Sequence, residues 1–358
     1  VRSRINARIS TPLNIEKLQE ALQLLQLDPL IDRVSATLSD DTELGQSRLA
    51  VQVEEANPWQ IPLGIDNARS PSVDSIQGDI GLVYANLWGL GHRFGIDYSG
   101  TDGSDNVGFL YRLSLGPSDN TLSFSFNTGS SGVTESPFDD IDGDGNSPDI
   151  ESNSETYEVT FRQPLSRKIR DGTYQEIALG LTYSLRDSRS ELLGESFPLS
   201  LGAEEDGSTR TSVLRFFQEL IRQNEKEVLS INSQFNLGVG VLGATVNEDF
   251  DTLPDSLFFS WRGQVQWVRS LGVPNQLLIL RGGAQFADQA LLSSEQFGLG
   301  GARTVRGYRQ DVLQTDNGVF ATAEVLFPVM QVPEVDGVLQ IAPFFDFGMG
   351  WNNGNVRN

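Results

Sequence analysis

Two short motifs contain the residues of this chain that are best suited to a specific chemical contact. The first motif consists of Val305, Arg306, Gly307 and Tyr308. Three glycines shortly before it let the backbone turn tightly: Gly298, Gly300 and Gly301. The second motif lies in an alternating segment and consists of Phe344, Asp346 and Gly348. Because a guanidinium and a carboxylate form a directional, charge-assisted contact, we expect Arg306 and Asp346 to hold a loop against a wall.

Residues 140–151 follow the Asp-x-Asp-x-Asp-Gly-x5-Glu spacing of a calcium-binding loop. Its oxygen ligands would be Asp140, Asp142, Asp144 and Glu151. Strand-like sequence flanks this loop where an EF-hand has helices, and Pro148 departs from the pattern. A calcium site and a hydrated acidic loop both remain open as interpretations. We therefore predict neither a metal ion nor a cofactor for this chain.

No set of residues predicts an enzyme. His92 is the only histidine and the chain has no cysteine, so a histidine relay or a thiolate site lacks its second member. We expect His92 to be a solvated turn residue. The carboxylates are concentrated in loops without a pocket that would raise a pKa, which gives no support for paired-carboxylate hydrolysis. We predict no catalytic residue.

Composition excludes two further classes of protein. The net charge of −22 argues against nucleic acid as a partner, because phosphate binding depends on clustered lysine and arginine. No window reaches the ~18 consecutive apolar residues of a membrane-spanning helix, and charges interrupt the longest candidate at 15–31. A transmembrane β-barrel stays open, because its apolar residues are spread over every second position.

Residues 1–57 have the pattern of a small α+β module. An apolar stripe at three- and four-residue spacing predicts one amphipathic helix that begins near Thr11-Pro12 and ends near Asp28-Pro29. The stripe consists of Ile15, Leu18, Leu22 and Leu25. Alternation at 34–38 and at 49–53 then predicts two strands.

From Trp59 to Trp351 the chain contains about thirteen segments in which apolar and polar residues alternate. The clearest is 176–186, where five apolar residues face away from small, polar and charged ones. Segment 209–222 fits both a helix and a strand. We predict a strand there, because the regular succession of loop lengths requires one.

Loop lengths decide between a sandwich and a barrel. Short turns are predicted at 89–92, 116–120, 164–172, 222–226, 269–275 and 328–338, and long loops at 127–155, 187–208, 240–256 and 287–317. This alternation is typical of an up-and-down transmembrane barrel, and we predict an all-β antiparallel barrel over residues 58–358. Because lipid does not tolerate an open sheet edge, we expect about three further strands and about sixteen in the complete barrel.

The motifs at 305–308 and 344–348, together with this pattern, resemble the Omp85 superfamily and its two-partner secretion transporters of the haemolysin-activator and filamentous-haemagglutinin-transporter type. Residues 1–57 resemble the back half of a POTRA domain, and 66–73 resemble the first barrel hairpin of that branch. Residues 86–91 resemble its first periplasmic turn. The resemblance covers nearly the whole chain.

The resemblance implies an outer-membrane pore, surrounded by lipid, with the POTRA domain in the periplasm. It implies export of an unfolded secreted protein without nucleotide, with the 292–317 loop folded into the lumen. A polar lumen face fits this expectation, namely Arg112, Glu158, Arg162, Glu176, Arg186, Arg262 and Gln264. Two alternatives stay open: a BamA-like insertase whose partner is a nascent outer-membrane barrel protein, and a passive porin. The expected contact between Arg306 and Asp346 could also be only a structural brace for barrel assembly.

Overall fold

The structure is a computed structural model that describes residues 1–9, 12–40, 47–145, 148–247, 253–335 and 337–354. At the N-terminus lie helices α1 (Arg2–Asn6) and α2 (Ile15–Gln26) and the antiparallel strands β1 (Ile31–Asp40) and β2 (Ser47–Glu55). Their small core consists of Ile5, Leu18 and Leu25, with Ile9, Leu22, Ile31, Val34, Leu49 and Val51 packed against it. The predicted helix and two strands are present, and α1 is an addition that the sequence pattern did not indicate.

The start of α2 differs from the prediction. Asn14 caps the helix, because its side-chain oxygen accepts a hydrogen bond from the backbone amide of Lys17 at 3.1 Å. The predicted start at Thr11-Pro12 is therefore wrong, and Thr11 itself lies outside the described residues. Ile15 is 61% exposed and does not belong to the core, whereas Ala21 and Leu24 on the same helix are buried.

The remaining strands belong to one large sheet and one small one. The large sheet contains β3 (Trp59–Gln60), β4 (Leu63–Asp66), β5 (Gln77–Leu87), β6 (His92–Thr101), β7 (Ser104–Leu115), β8 (Asn120–Gly132), β9 (Ile150–Arg170), β10 (Thr173–Leu192), β11 (Glu195–Ser196), β12 (Ser208–Gln223), β13 (Glu227–Gly238), β14 (Phe259–Ser270), β15 (Leu277–Ala287), β18 (Asn317–Val332), β19 (Gly337–Ile341) and β20 (Phe344–Trp351). The small sheet pairs β16 (Phe297–Leu299) with β17 (Leu313–Thr315). The described part of the chain also contains three short 3-10 helices, at Pro71–Val73, Ser293–Glu295 and Pro333–Val335.

In the large sheet each strand pairs antiparallel with the next along the chain, as in an up-and-down barrel. Both β3 and β4 pair with β5, and both β19 and β20 pair with β18. Each of these pairs is thus one strand interrupted near a proline, Pro62 or Pro343, which cannot donate to the ladder. When the two-residue β11, which extends only the end of β10, is also left out, the described residues contain thirteen barrel strands, and this confirms the predicted number.

The two faces of the sheet differ as the alternation predicts. On β10, Leu181 is 48% exposed on the outer face, whereas the neighbouring Thr182 is buried on the inner face. Outward apolar residues are exposed on most strands, which suits contact with lipid hydrocarbon. The ambiguous segment 209–222 is part of β12, paired on both sides with β10 and β13, so the predicted strand is confirmed.

Several predicted loop limits are wrong. Residues 164–170 belong to β9, so the turn to β10 consists of residues 171–172 alone. The long loops span 133–149, 193–207, 239–258 and 288–316, so the first, second and fourth are shorter than predicted and the third is longer. The alternation of lengths has one exception, because β6 and β7 are joined by the two residues 102–103. Strand pairing extends further than sequence alternation alone indicates.

Among the described residues, no helix has the length and apolar character that crossing a membrane would need. The sheet curls around the loop between β15 and β18, residues 288–316, which we call the lumenal loop. Its residues contact β12, β18 and β20, and its Arg309 pairs with Glu135 in the loop after β8. The loop lies on the inner face of the curved sheet, because the side chains that it contacts on β12, β18 and β20 all face inward.

Candidate functional site

The lumenal loop is a β-hairpin with a tightly wound tip. Strands β16 and β17 pair at its base, and the backbone then turns at Gly300 and Gly301, whose φ angles are +111° and +87°. A Cβ at Gly300 would lie 2.3 Å from the backbone oxygen of Arg309, so only glycine fits there. The hydroxyl of Thr304 closes the turn, because it accepts from the Gly300 amide and donates to the Gly300 carbonyl, both at 2.9 Å.

Arg306 holds the tip of this loop to the barrel wall. Its Nε and Nη2 atoms donate to the two carboxylate oxygens of Asp346 on β20, each at 2.8 Å. Its backbone amide donates to Asp346 Oδ2 at 3.0 Å, and its Nη1 donates to Glu324 on β18. These two carboxylates lie on adjacent strands and face the same side of the sheet. Together the three residues form what we call the tip clamp.

Burial and charge make the tip clamp a strong contact. The side chain of Asp346 is only 4% exposed, so water competes little for its oxygens. The guanidinium carbon of Arg306 lies 3.6 Å from the centre of the Phe344 ring, a cation–π contact. Hydrogen bonds to Asp346 and then to Glu324 raise the pKa of Arg306, so the guanidinium remains charged. The predicted partners Arg306 and Asp346 are thus in direct contact.

The other motif residues have different surroundings. Gly348 lets the loop approach the wall, because a Cβ there would lie 2.6 Å from Val305 Cγ2. A Cβ at Gly298 would likewise lie 2.3 Å from the carboxylate of Asp311. Gly307 has a φ of +90° in open space. Tyr308 is 66% exposed and takes part only through its carbonyl, which accepts from the Gly301 amide at 3.2 Å.

A second attachment lies at the base of the lumenal loop, in the 3-10 helix Ser293–Glu295. The carboxylate of Glu295 accepts two hydrogen bonds from Arg215 on β12, at 2.7 and 2.9 Å. Glu295 is 7% exposed, and Arg186 and Arg262 contribute further positive charge beside it. We call the Arg215–Glu295 pair and its surroundings the root clamp.

Buried side chains on β15 and at the end of the loop complete the root clamp. The amide of Gln285 donates to the carbonyls of Glu295 and Asp316 at 3.0 and 3.1 Å, and its oxygen accepts from Arg262 Nε at 2.7 Å. The carboxylate of Asp316 accepts from the backbone amides of Leu291 and Asn353 at 2.9 and 2.8 Å. Both strands of the hairpin are therefore fixed where they leave the wall.

A third group of charges lies on the inner face of β9, β10 and β12 and extends to the N-terminal module. Arg162 pairs with Glu176 and Glu219 at 2.5 and 2.7 Å, and Arg167 pairs with Glu176 and Asp119. Asp119 also pairs with a residue of α1, as its carboxylate lies 2.9 Å from Arg4. The N-terminal module thus contacts the turns at one end of the barrel through charge-assisted bonds.

Two other sequence candidates lie away from these clamps. The carboxylates of Asp140, Asp142 and Asp149 lie within 4.8 Å of one another, and Asp149 is not a ligand position of the calcium pattern. Residues 146–147 of this loop lie outside the described residues. His92 is the first residue of β6, with Nδ1 3.1 Å from the Tyr111 hydroxyl and Trp88 packed edge-on. The prediction of a solvated turn histidine is therefore wrong.

Sequence reasoning missed most partners of the two clamps. Glu324 follows the lumen-facing alternation of β18, and that signal could have identified it as a second carboxylate near Arg306. Arg215 lies in the segment whose period was ambiguous, so its lumen-facing position was not assigned. Of the predicted lumen residues, Arg162, Glu176 and Arg262 make the interior contacts described above.

The family model of the haemolysin secretion/activation proteins ShlB/FhaC/HecB matches residues 45–358. That match covers well over half of the chain. The chain belongs to this family. The resemblance to two-partner secretion transporters of the Omp85 superfamily is thereby confirmed, and with it the all-β barrel fold of outer-membrane proteins. No curated protein sequence matches the chain significantly.

Solved structures show the same fold at low sequence identity. CdiB from Escherichia coli has a TM-score of 0.71 at 18% identity, over 90% of this chain and 57% of that protein. CdiB from Acinetobacter baumannii has a TM-score of 0.69 at 17% identity, over 96% and 59%. BamA from Haemophilus ducreyi lacking POTRA domains 1–3 has a TM-score of 0.61 at 13% identity, over 98% and 70%. This haemolysin secretion/activation family member thus spans less than two thirds of either CdiB chain.

Proposed function

We propose that this chain is part of an outer-membrane pore that exports an unfolded partner protein without nucleotide hydrolysis. The observation that carries the proposal is the tip clamp, which joins the lumenal loop to β18 and β20 inside a barrel of the secretion/activation family. A loop tip held mainly by one arginine can be released while the root clamp and the wall stay intact. Release or rearrangement of the tip would widen the lumen for an extended chain.

In this proposal residues 1–57 belong to a POTRA domain on the periplasmic side, and residues from 58 onward form the barrel. Within the described residues, β1 and β2 pair only with each other. The outer edge of β1 is partly occupied, because the Gln26 side chain donates to the Asp32 carbonyl and accepts from the Val34 amide, both at 2.8 Å, whereas β2 has no second strand beside it in the described part of the chain. An extended segment of the exported protein would add to this edge of β2, with main-chain hydrogen bonds that do not depend on its sequence. The pairing of Arg4 with Asp119 connects this module to the barrel entrance.

The decisive variant is Arg306→Ala in the full-length protein, produced together with the secreted protein that the proposal assigns to it as partner. We expect secretion to fall at least tenfold, because both carboxylates lose a bidentate or charge-assisted partner. Immunoblotting of medium and cells measures secretion, and heat-modifiable migration on gels measures the folded barrel.

Arg309→Ala is the matched control, because Arg309 lies in the same loop but pairs with Glu135 in an exposed position. We expect this control to secrete normally. If Arg306→Ala also secretes normally from a wild-type amount of folded barrel, the tip clamp has no part in export and is only a brace.

The second candidate is an insertase of outer-membrane barrels, which the fold similarity to the BamA structure favours. Its substrate would be a nascent barrel protein rather than an exoprotein. Depletion of the full-length protein separates the two functions. An insertase predicts reduced amounts of several unrelated outer-membrane barrels, whereas an exporter predicts loss of one secreted protein with the other barrels unchanged.

A further inference from the structure

The tip clamp draws the lumenal loop toward β18 and β20 and leaves open space on the other side. A cavity of about 720 Å³ lies between the loop and the inner face of β13, β14 and β15. An extended chain is about 4.8 Å wide within a sheet and about 10 Å thick with its side chains. The cavity therefore has room for roughly four residues of extended polypeptide at 3.3 Å per residue.

Primary amides line this cavity on two sides. The wall contributes Asn232, Gln264 and Gln266, and the loop contributes Gln296 and Gln310. We call these five residues the amide groove. Asn232 lies directly opposite Gln264 in the pairing of β13 with β14, so their two amides are cross-strand neighbours on the lumen face.

The amides of the wall are not engaged by the protein. In the part of the chain that the structure describes, the side chains of Asn232, Gln264, Gln266 and Gln310 have no hydrogen-bonding partner, whereas Gln296 donates to Asp316 at 3.3 Å. Gln264 and Gln266 are exposed to the lumen. Each carboxamide offers two donor hydrogens and an acceptor oxygen. These groups are thus available to a ligand.

The adjoining wall of β9, β10 and β12 is polar too, but its groups pair with one another. There Arg162 is paired with Glu176 and Glu219, and the hydroxyls of Thr160 and Thr182 bond to each other at 2.8 Å. Those polar groups satisfy one another. The groups of the amide groove face open space instead.

We propose that the amide groove binds the backbone of an extended polypeptide that passes beside the clamped loop. The chemical reason is that a polypeptide backbone repeats one donor and one acceptor per residue, and a row of carboxamides matches that repeat whatever the side chains are. This inference rests on the proposed export function and specifies its substrate class as unfolded chain recognised through main-chain amides.

The test measures current blockades in planar bilayers that contain the full-length protein. The probe is a synthetic 20-residue peptide of glycine, serine and asparagine, which has no stable fold. The variant Asn232→Leu/Gln264→Leu removes two neighbouring amides at similar volume. We expect the mean dwell time of the peptide to fall about tenfold, which corresponds to two lost hydrogen bonds of ordinary strength.

The matched control is Asn106→Leu/Asn127→Leu, which removes two lumen-facing amides from β7 and β8, outside the groove. We expect its dwell time to equal that of the wild type. A second probe, the same peptide with N-methylated backbone amides, should dwell about as briefly on the wild type as the parent peptide does on the groove variant. Equal dwell times for wild type and groove variant, or an equal decrease in both leucine variants, would overturn the inference.

These outcomes are independent of the test of export. An unchanged dwell time together with lost secretion in Arg306→Ala refutes the groove and leaves export in place. A shortened dwell time together with normal secretion in Arg306→Ala supports the groove and removes the clamp from the mechanism.

Discussion

The tip clamp and the root clamp hold the same loop with opposite arrangements of charge. At the tip the loop supplies the arginine and the wall supplies the carboxylates of Asp346 and Glu324. At the root the loop supplies the carboxylate of Glu295 and the wall supplies Arg215. The tip depends mainly on one side chain, whereas the root adds Gln285 and backbone hydrogen bonds. The difference means that the base of the loop has more attachments to the wall than its tip.

Loss of the root carboxylate should have the largest effect. In Glu295→Ala the guanidinium of Arg215 remains in the interior without its partner, close to Arg186 and Arg262. An uncompensated buried charge of this kind costs about 3–5 kcal/mol. We expect a lower urea midpoint for unfolding of the purified full-length barrel, measured by tryptophan fluorescence.

Two further variants separate the charge effect from loss of packing. Arg215→Met/Glu295→Met removes both charges at similar volume, and we expect it to recover most of the lost stability. Glu205→Ala removes an exposed carboxylate of the 193–207 loop and should leave the midpoint unchanged. A wild-type urea midpoint in Glu295→Ala would show that the root clamp stabilises the barrel no more than the tip clamp does.

The contrast between the clamps also shows what a single sequence can predict. The strands were predictable, because lipid on one face and water on the other impose a period of two on each of them. Arg306 and Asp346 were predictable because both lie in compact motifs. Glu324 and Arg215 were not, because their contacts depend on which strands lie side by side and in which register. Alternation assigns a residue to a face and leaves its neighbours on that face undetermined.

Some predicted strand ends were wrong for a related physical reason. Residues 164–170, which include Pro164 and three basic residues, are predicted as a turn, yet they continue β9 in register with β10. A strand needs only about 9–11 residues to cross the membrane, and β9 has 21, so its end can lie in water and still pair. Polar composition there indicates the solvent around the hairpin rather than the end of the strand.

Neutralising one wall carboxylate at the tip should have an intermediate effect. Asp346→Asn keeps the shape of the side chain but loses the charge that accepts three hydrogen bonds from Arg306. We expect the loop tip to be released more often, so trypsin should cleave at the exposed Arg303 and Arg309 on the order of ten times faster. Gel analysis of the folded barrel over time measures that rate.

Glu324→Gln gives the internal comparison for this variant. Glu324 accepts one hydrogen bond from Arg306 and lies 4.0 Å from Arg281, so its neutralisation should accelerate cleavage by a smaller factor. Equal cleavage rates for both variants would mean that the two carboxylates contribute equally to holding Arg306, and that Asp346 is not its principal partner.

Replacing the arginine of the tip by lysine should have the smallest effect, and it tests whether charge or geometry holds the loop. Arg306→Lys keeps one positive charge but cannot donate to both oxygens of Asp346 while also reaching Glu324. We expect tryptic cleavage at Arg303 to accelerate only a few fold, with the unfolding midpoint unchanged because the root clamp is intact. A rate as high as that of Asp346→Asn would show that the planar fork, rather than the charge, accounts for nearly all of the attachment.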